Sequence, residues 1–222
     1  MRRGPLSICV VALLLALSGC ADSVSETYHE TGIDELEIPT PSPDPDDFVA
    51  EVDNPWFPLA QGSTWTYADE AGGESGETTV TVVPSDLVLG GVQVTSVETV
   101  TDSDGGRAPR LSTDYYAQDR DGNVWWFGRQ GVWDVEVAGA EAGLAMPAEP
   151  RVGDGWRLAL LDGVVEDRAT VESLDDGQVI LRVESDLTPG VVVQRSYEKG
   201  AGLVRTFNLA GPVGSSELTS GP

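Results

Sequence analysis

The residues best suited to chemistry lie close together, in the stretch 114–128. Asp119, Asp121 and Asn123 place three oxygen-bearing side chains at alternate positions around a glycine. Calcium loops begin with such a spacing, so these three residues are candidate calcium ligands. The same residue types also form hairpin turns, where they tolerate positive φ angles and make local hydrogen bonds. An EF-hand loop needs a glutamate where this chain has Gln130, and this favours the turn.

Aromatic side chains follow directly after this turn and are candidates for stacking against a ligand. In an extended strand, Trp125 and Phe127 face one way and the residue between them faces the other. A neighbouring strand carries Tyr116 beside a second tyrosine, so a cross-strand aromatic pair that only stabilises the sheet is the alternative. The candidate ligand contacts are Tyr115, Trp126 and Trp133.

The scarce residue types limit the reactions that the chain could catalyse. Both cysteines, Cys9 and Cys20, lie within the first twenty residues, and His29 and Lys199 are the single histidine and the single lysine. A Ser-His-Asp triad, a thiolate zinc site or a haem site is therefore difficult to build. Paired carboxylates are what remains for acid–base catalysis, as in glycoside hydrolysis. The candidate carboxylates are Asp114, Glu166 and Asp167.

The N-terminus has the layout of an export signal. Arg2 and Arg3 precede an apolar run at residues 6–17, which is too short to span a bilayer of roughly 30 Å. The motif Leu-Ser-Gly-Cys at residues 17–20 resembles the lipobox of bacterial lipoproteins. The resemblance implies cleavage after residue 19 and lipidation of Cys20, which would anchor the chain to the extracytoplasmic face of the cell membrane. An ordinary cleaved signal with an incidental cysteine is the alternative.

The segment behind the anchor is acidic and rich in proline. Residues 21–54 contain eleven Asp or Glu residues, no Lys or Arg, and four closely spaced prolines. Such a composition cannot offset the entropy of ordering, so residues 20–54 are predicted to form a disordered or partly extended tether. The whole chain has a formal net charge of −24, which excludes nucleic acid as a partner on electrostatic grounds.

The remaining residues, 55–222, alternate between short apolar strands and turns. Turn residues recur every eight to twelve positions, which is typical of an all-β fold. Hairpin-linked neighbours favour an antiparallel meander, as a strongly curved sheet or a barrel. A β-sandwich or a half barrel with one helix is the alternative, because the apolar pattern of residues 164–174 fits a helix as well as a strand.

Several motifs in this region together resemble an uncharacterised family of secreted, β-rich bacterial domains. They are Asn-Pro-Trp-Phe-Pro-Leu at 54–59, Gly-Ser-Thr-Trp-Thr-Tyr at 62–67, Asp-Tyr-Tyr-Ala-Gln-Asp at 114–119, Gly-Asn-Val-Trp-Trp-Phe-Gly at 122–128 and Gly-Ala-Gly-Leu-Val at 200–204. The resemblance implies a β-rich domain, and no activity comes with it.

Three functions are consistent with the sequence. The first is a non-enzymatic envelope lipoprotein that binds a small molecule, a glycan or a protein, and it predicts an aromatic-lined cavity or groove. The second is a carboxylate-dependent hydrolase of glycans, which predicts two carboxyl groups about 5–10 Å apart across a cleft. The third is a structural surface protein. No cofactor is expected apart from calcium, and the lipid on Cys20 is the expected contact with the membrane.

Overall fold

The computed structural model describes residues 44–103 and 108–222. The predicted signal peptide, Cys20 and most of the predicted tether lie outside these residues. No helix in the described part of the chain is long and apolar enough to cross a membrane. The one helical element found there is a short 3-10 helix at Pro45–Asp47.

Sixteen strands make up the rest of the regular structure. The first eight are β1 (Phe48–Val49), β2 (Thr64–Ala71), β3 (Glu74–Val83), β4 (Val88–Leu89), β5 (Val92–Gln93), β6 (Thr95–Ser103), β7 (Arg110–Asp119) and β8 (Val124–Arg129). The second eight are β9 (Trp133–Asp134), β10 (Gly143–Met146), β11 (Gly155–Leu161), β12 (Val165–Leu174), β13 (Gln178–Ser185), β14 (Val192–Glu198), β15 (Gly202–Ala210) and β16 (Gly214–Ser220).

The prediction of an all-β, antiparallel meander is confirmed. The main sheet runs in the order β10-β8-β7-β6-β3-β2-β16-β15-β14-β13-β12-β11, and β1 and β9 add to it at β7 and β8. Every pairing in it is antiparallel, and most neighbours in the sheet are also neighbours along the chain. The sheet is nearly closed into a barrel, with one seam between β10 and β11.

The seam is held by close contact between the two end strands rather than by a full ladder. The amide of Glu141 donates to the carbonyl of Leu160 over 3.1 Å, in an isolated bridge. Gly143 lies so near β11 that a Cβ atom on it would be 1.9 Å from the carbonyl oxygen of Leu158. Closure of the barrel therefore depends on a glycine at this position.

Residues 165–174 form strand β12 and residue 164 lies in the preceding turn, so the helical alternative is wrong. The side chains of Val165, Ala169 and Val171 are buried and face the barrel interior. The pairing of β12 with β13 shifts register between Val171 and Ser173. This irregularity interrupts the alternation of apolar residues, which is why the sequence period was ambiguous.

The end of the predicted tether packs on the barrel, so the prediction of disorder is wrong for residues 44–54. Strand β1 pairs with β7, and the ring of Phe48 meets that of Phe127 edge-on with centroids 5.3 Å apart. Val52 and Asn54 are buried. The few apolar residues of this segment are therefore used locally, although its overall composition is polar and acidic.

Candidate ligand-binding site in the barrel interior

A cavity of about 180 Å³ lies inside the barrel, between its two halves. Six strands line it, and four of them contribute two residues two positions apart, because alternate residues of a strand face the same side of the sheet. Aromatic and aliphatic groups make up most of its wall. The strand residues lining it are Trp65, Tyr67, Val80, Val97, Thr99, Asp114, Tyr116, Arg195, Tyr197, Gly202 and Leu203.

The segment that precedes β2 closes one end of this cavity. Phe57 inserts between two tyrosines, with its ring centroid 5.2 Å from that of Tyr116 and 6.1 Å from that of Tyr197. Asn54 fixes the segment in place. Its side-chain nitrogen donates to the carbonyl of Gly122 over 2.8 Å, and its side-chain oxygen accepts a hydrogen bond from the backbone amide of Trp56. The aromatic lid is thus tied to the hairpin between β7 and β8.

A half-buried ion pair lies at the wall of the cavity, to which it contributes the buried carboxylate of Asp114. Asp114 accepts from Nε of Arg129 over 2.9 Å and from its Nη2 over 3.0 Å. The indole nitrogen of Trp126 donates to the same carboxylate over 3.0 Å, and the guanidinium lies 5.5 Å from the centroid of that indole ring. Burial lowers the pKa of Arg129, but its hydrogen bond and charge interaction with Asp114 outweigh this and raise the pKa above its ordinary value. The negative charge of Asp114 is therefore balanced by the positive charge of Arg129.

Three donors that line the cavity have no such partner among the described residues. They are the guanidinium of Arg195 and the hydroxyls of Tyr116 and Tyr197, for which neither a hydrogen bond nor an ion pair is found there. Tyr67 differs, because its hydroxyl donates to the carbonyl of Leu203 over 2.9 Å. Burial, and then the charge of Asp114, raise the pKa of Tyr116 well above its ordinary value. Its hydroxyl therefore stays protonated and can donate at physiological pH.

A second, wider cavity of about 460 Å³, the outer cavity, is lined mainly by polar residue types. The two cavities lie on the same faces of β2, β3 and β6, because Asp69, Thr78 and Thr101 are each two positions from a residue that lines the inner cavity. Asp69 accepts hydroxyl hydrogen bonds from Thr78 and from Ser216, each over 2.5 Å. Acidic residues outnumber the single arginine, Arg110, among the described residues that line this outer cavity.

The predicted calcium ligands form the hairpin turn between β7 and β8. Asp119 accepts from the backbone amide and the side-chain nitrogen of Asn123, each over 2.9 Å, and from the indole nitrogen of Trp125 over 2.8 Å. The side-chain oxygen of Asn123 accepts from the amide of Ala148 over 2.9 Å. Asp121 is exposed. The oxygens of Asp119 and Asn123 thus hold the turn, and calcium binding stays a prediction.

The predicted aromatic contacts do not line the cavity. Tyr115 lies next to Tyr116 in β7 and so faces the opposite side of the sheet. Trp126 and Trp133 are buried against each other, with centroids 5.2 Å apart and planes at 76°. Trp126 also stacks on Tyr116 at 6.5 Å. Trp126 therefore lies beside Tyr116 on the same face of the sheet, and Tyr116 is the aromatic residue of this hairpin that lines the cavity.

The three candidate carboxylates have different surroundings in the structure. Asp114 is engaged by Arg129, as described above. Asp167 lies close enough to contribute to the raised pKa of the same arginine. Glu166 instead accepts from the backbone amide of Gly163 over 2.8 Å and holds the turn between β11 and β12. Of the three, only Asp114 forms an ion pair with Arg129 among the described residues.

Arg195 and Tyr197 were missed by the sequence analysis. The strand pattern by itself assigns no site role to either residue. The alternation of Val193, Arg195 and Tyr197 nevertheless places a charge on a face that is otherwise apolar. An arginine in phase with the buried positions of a strand is an available signal for a functional cation inside a barrel.

Two buried tryptophans offer a test of the hydrogen bonds that hold the turn between β7 and β8. Trp125 and Trp156 are both buried, but only the first has a partner for its indole nitrogen; no partner for that of Trp156 is found among the described residues. Replacing either with phenylalanine removes similar apolar volume. We expect Trp125→Phe to cost about 2 kcal/mol more than Trp156→Phe, because only it removes a bond to a carboxylate. Urea unfolding of both variants measures the difference, and equal losses would contradict the assignment.

Comparison with known proteins adds no further constraint on this geometry. The chain matches no protein-family model, no curated protein and no solved structure. The family resemblance of the sequence motifs therefore stays a prediction, and a functional conclusion has to come from the described residues.

Proposed function

We propose that the chain is a non-enzymatic lipoprotein that binds a small ligand inside its barrel, on the extracytoplasmic face of the cell membrane. The lipid on Cys20 would hold it there, and the acidic residues that follow would keep the barrel away from the anionic membrane surface. The barrel would then act as a receptor or carrier for a molecule that enters its interior.

The observation that carries this proposal is the inner cavity itself. A barrel that served only as a scaffold would be expected to fill its interior with packed side chains. Here about 180 Å³ stays open, next to aromatic rings and to three donors without protein partners. Concave sites with an apolar wall and a few convergent polar groups are the usual form of small-molecule sites.

The carboxylates give less support to glycan hydrolysis. A general acid or base needs an oxygen that can reach the substrate. Both oxygens of Asp114 accept from Arg129, and one oxygen of Glu166 accepts from a backbone amide. These contacts favour a structural role for both residues, and they favour binding over catalysis.

The proposal is tested by filling the cavity from one strand. Thr99 lines the cavity, and its neighbour Val100 faces outward and is 39% exposed. Thr99→Trp should block the interior, and Val100→Trp adds the same bulk outside. The full-length protein, produced in a bacterium that processes lipoproteins, is examined by native mass spectrometry for a co-purified molecule. It is also examined by saturation-transfer NMR with phenylacetate, phenethyl alcohol and phenethylamine.

We expect the wild type and Val100→Trp to retain a co-purified molecule or to bind at least one probe. Thr99→Trp should lose about nine-tenths of that signal, as expected when an occupied volume is filled. Circular dichroism shows whether each variant is folded. Equal binding by the two folded variants, or neither a co-purified molecule nor probe binding in the wild type, would overturn the proposal. The intact mass of the same wild-type sample should also show loss of residues 1–19 and addition of acyl chains.

A further inference from the structure

We propose that the ligand of the inner cavity is a small organic monoanion, a carboxylate on an aromatic or compact apolar body, whose carboxylate binds Arg195 between the hydroxyls of Tyr116 and Tyr197. This inference rests on the proposed function, because it names the ligand class of the same cavity. It goes further in assigning the charge, the size and the anchoring residue.

The charges around the cavity point to an anion. Two charged side chains line it, Asp114 and Arg195. The charge of Asp114 is already balanced by Arg129, whose guanidinium donates two hydrogen bonds to it. Arg195 is half-buried, and no ion pair of its guanidinium is found among the described residues. The cavity therefore has one uncompensated positive charge, and a partly buried charge is stabilised by an ionic partner.

The donors around Arg195 suit a carboxylate. A guanidinium presents parallel N–H groups that match the two oxygens of a carboxylate. Tyr116, Arg195 and Tyr197 line the same small cavity, and the ring of Phe57 contacts both tyrosine rings, so the three polar groups converge on one region. The two hydroxyls can donate to the same anion, and Asp114, the one carboxylate among the described residues that line the cavity, is already engaged by Arg129.

The rest of the wall suits a flat or compact apolar body. Phe57 and Trp65 contribute aromatic surface, and Val80 and Val97 contribute aliphatic surface. The volume of about 180 Å³ is below the roughly 300–1,000 Å³ of typical drug-sized sites. The ligand therefore has about the size of one ring with a short side chain, and a long acyl chain would not fit within the inner cavity.

The negative charge of the outer cavity and of the whole chain disfavours multiply charged anions. Asp69 and Asp102 line the outer cavity, against Arg110, and the chain as a whole has a net charge of −24. Such a field repels an anion in proportion to its charge. A phosphate or a sugar phosphate would have to cross this field with two charges and would meet a single free arginine. A monoanion with apolar surface meets the smaller barrier and gains from the aromatic wall.

The test compares three probes of the same shape and different charge. Phenylacetate is the anion, phenethyl alcohol is neutral and phenethylamine is the cation. Each is titrated into the full-length protein and followed by chemical shift or calorimetry. The variants are Arg195→Met, which removes the charge, and Arg195→Lys, which keeps it. Arg205→Met is the matched control, because Arg205 is exposed on β15 and lies over the ring of Phe207.

In the wild type and in Arg205→Met, phenylacetate should bind at least about tenfold more tightly than phenethyl alcohol, as a charge-assisted hydrogen bond predicts. Arg195→Met should lose this preference and still bind the neutral probe with about the wild-type affinity, and Arg195→Lys should retain part of the preference. The retained binding of the neutral probe shows that the variant is folded.

Two failures are distinguishable. Equal affinity for the anion and the alcohol, or a preference that survives in Arg195→Met, would overturn the assignment of the anion and leave the cavity as a binding site. Absence of all probe binding and of any co-purified molecule in the wild type would overturn the proposed function together with this inference.

Discussion

Replacing Gly143 with alanine should destabilise the protein by about 3 kcal/mol, at the upper end of what overpacking costs. The added Cβ would lie 1.9 Å from the carbonyl oxygen of Leu158, 2.2 Å from its carbonyl carbon and 2.7 Å from the amide nitrogen of Ala159. All three are backbone atoms of β11, so no side chain can rotate away. The strands on either side of the seam would have to separate, and the barrel would open there.

Gly177 provides the matched control for this substitution. It lies in the turn between β12 and β13, and a Cβ on it would meet no atom within 4 Å. Gly177→Ala should change stability by no more than about 0.5 kcal/mol, as is usual for a surface position. Urea unfolding measures both variants. Hydrogen exchange adds a local reading, because the amide of Glu141, which bonds across the seam, should exchange faster in Gly143→Ala alone. A Gly143→Ala variant as stable as the control would show that the seam is not closed in this way.

The architecture of the barrel could be predicted from the sequence because its information is local. Turns and alternating apolar residues specify hairpins between neighbouring strands, and a meander consists mainly of such hairpins. The pattern gave no sign of where the ends of the sheet meet. That contact joins Gly143 to Leu158, and the glycine is needed there because two backbones approach, which no pattern of hydrophobicity records.

The average composition of residues 20–54 does not predict that residues 44–54 pack on the barrel. Averaged over the whole segment, the acidic residues and prolines predict disorder. Yet Phe48, Val52 and Asn54 each find a specific partner surface on the barrel. A few anchoring residues are enough once a folded surface is present, and that surface is built by residues distant in sequence.

An aromatic-lined cavity could be expected from the sequence, but the residues that line it could not. The aromatic hairpin indicated a stacking surface, and Tyr116, beside the predicted Tyr115, lines the cavity. Pairing of β7 with β8 shifts register between these two tyrosines, which changes the facing residues of the hairpin. Arg195 comes from the other half of the barrel, and only closure of the sheet brings it near Tyr116. A site assembled across a barrel is a non-local feature, and a single strand pattern does not contain it.

Replacing Arg129 with methionine should destabilise the protein by about 3 kcal/mol, because it leaves a buried carboxylate without its ionic partner. Asp114 has a side-chain exposure of 8%, and water could not readily replace the guanidinium. The loss falls at the lower end of the usual range for a broken buried pair, since Arg129 itself is 42% exposed and part of its charge is already solvated. The free energy of unfolding from urea denaturation gives the value.

The double variant Arg129→Met, Asp114→Asn separates loss of the ion pair from loss of packing. An asparagine keeps an oxygen that can accept from the indole of Trp126, but it carries no charge that needs a partner. If the buried charge is the cause, the double variant should recover about 2 kcal/mol relative to Arg129→Met, which appears as a coupling energy in the mutant cycle. A coupling near zero would mean that the aliphatic part of Arg129 and its stacking on Trp126 provide the stability instead. Because Asp114 also lines the cavity, a confirmed coupling would support the view that Arg129 cancels its charge and leaves Arg195 as the group that meets a ligand.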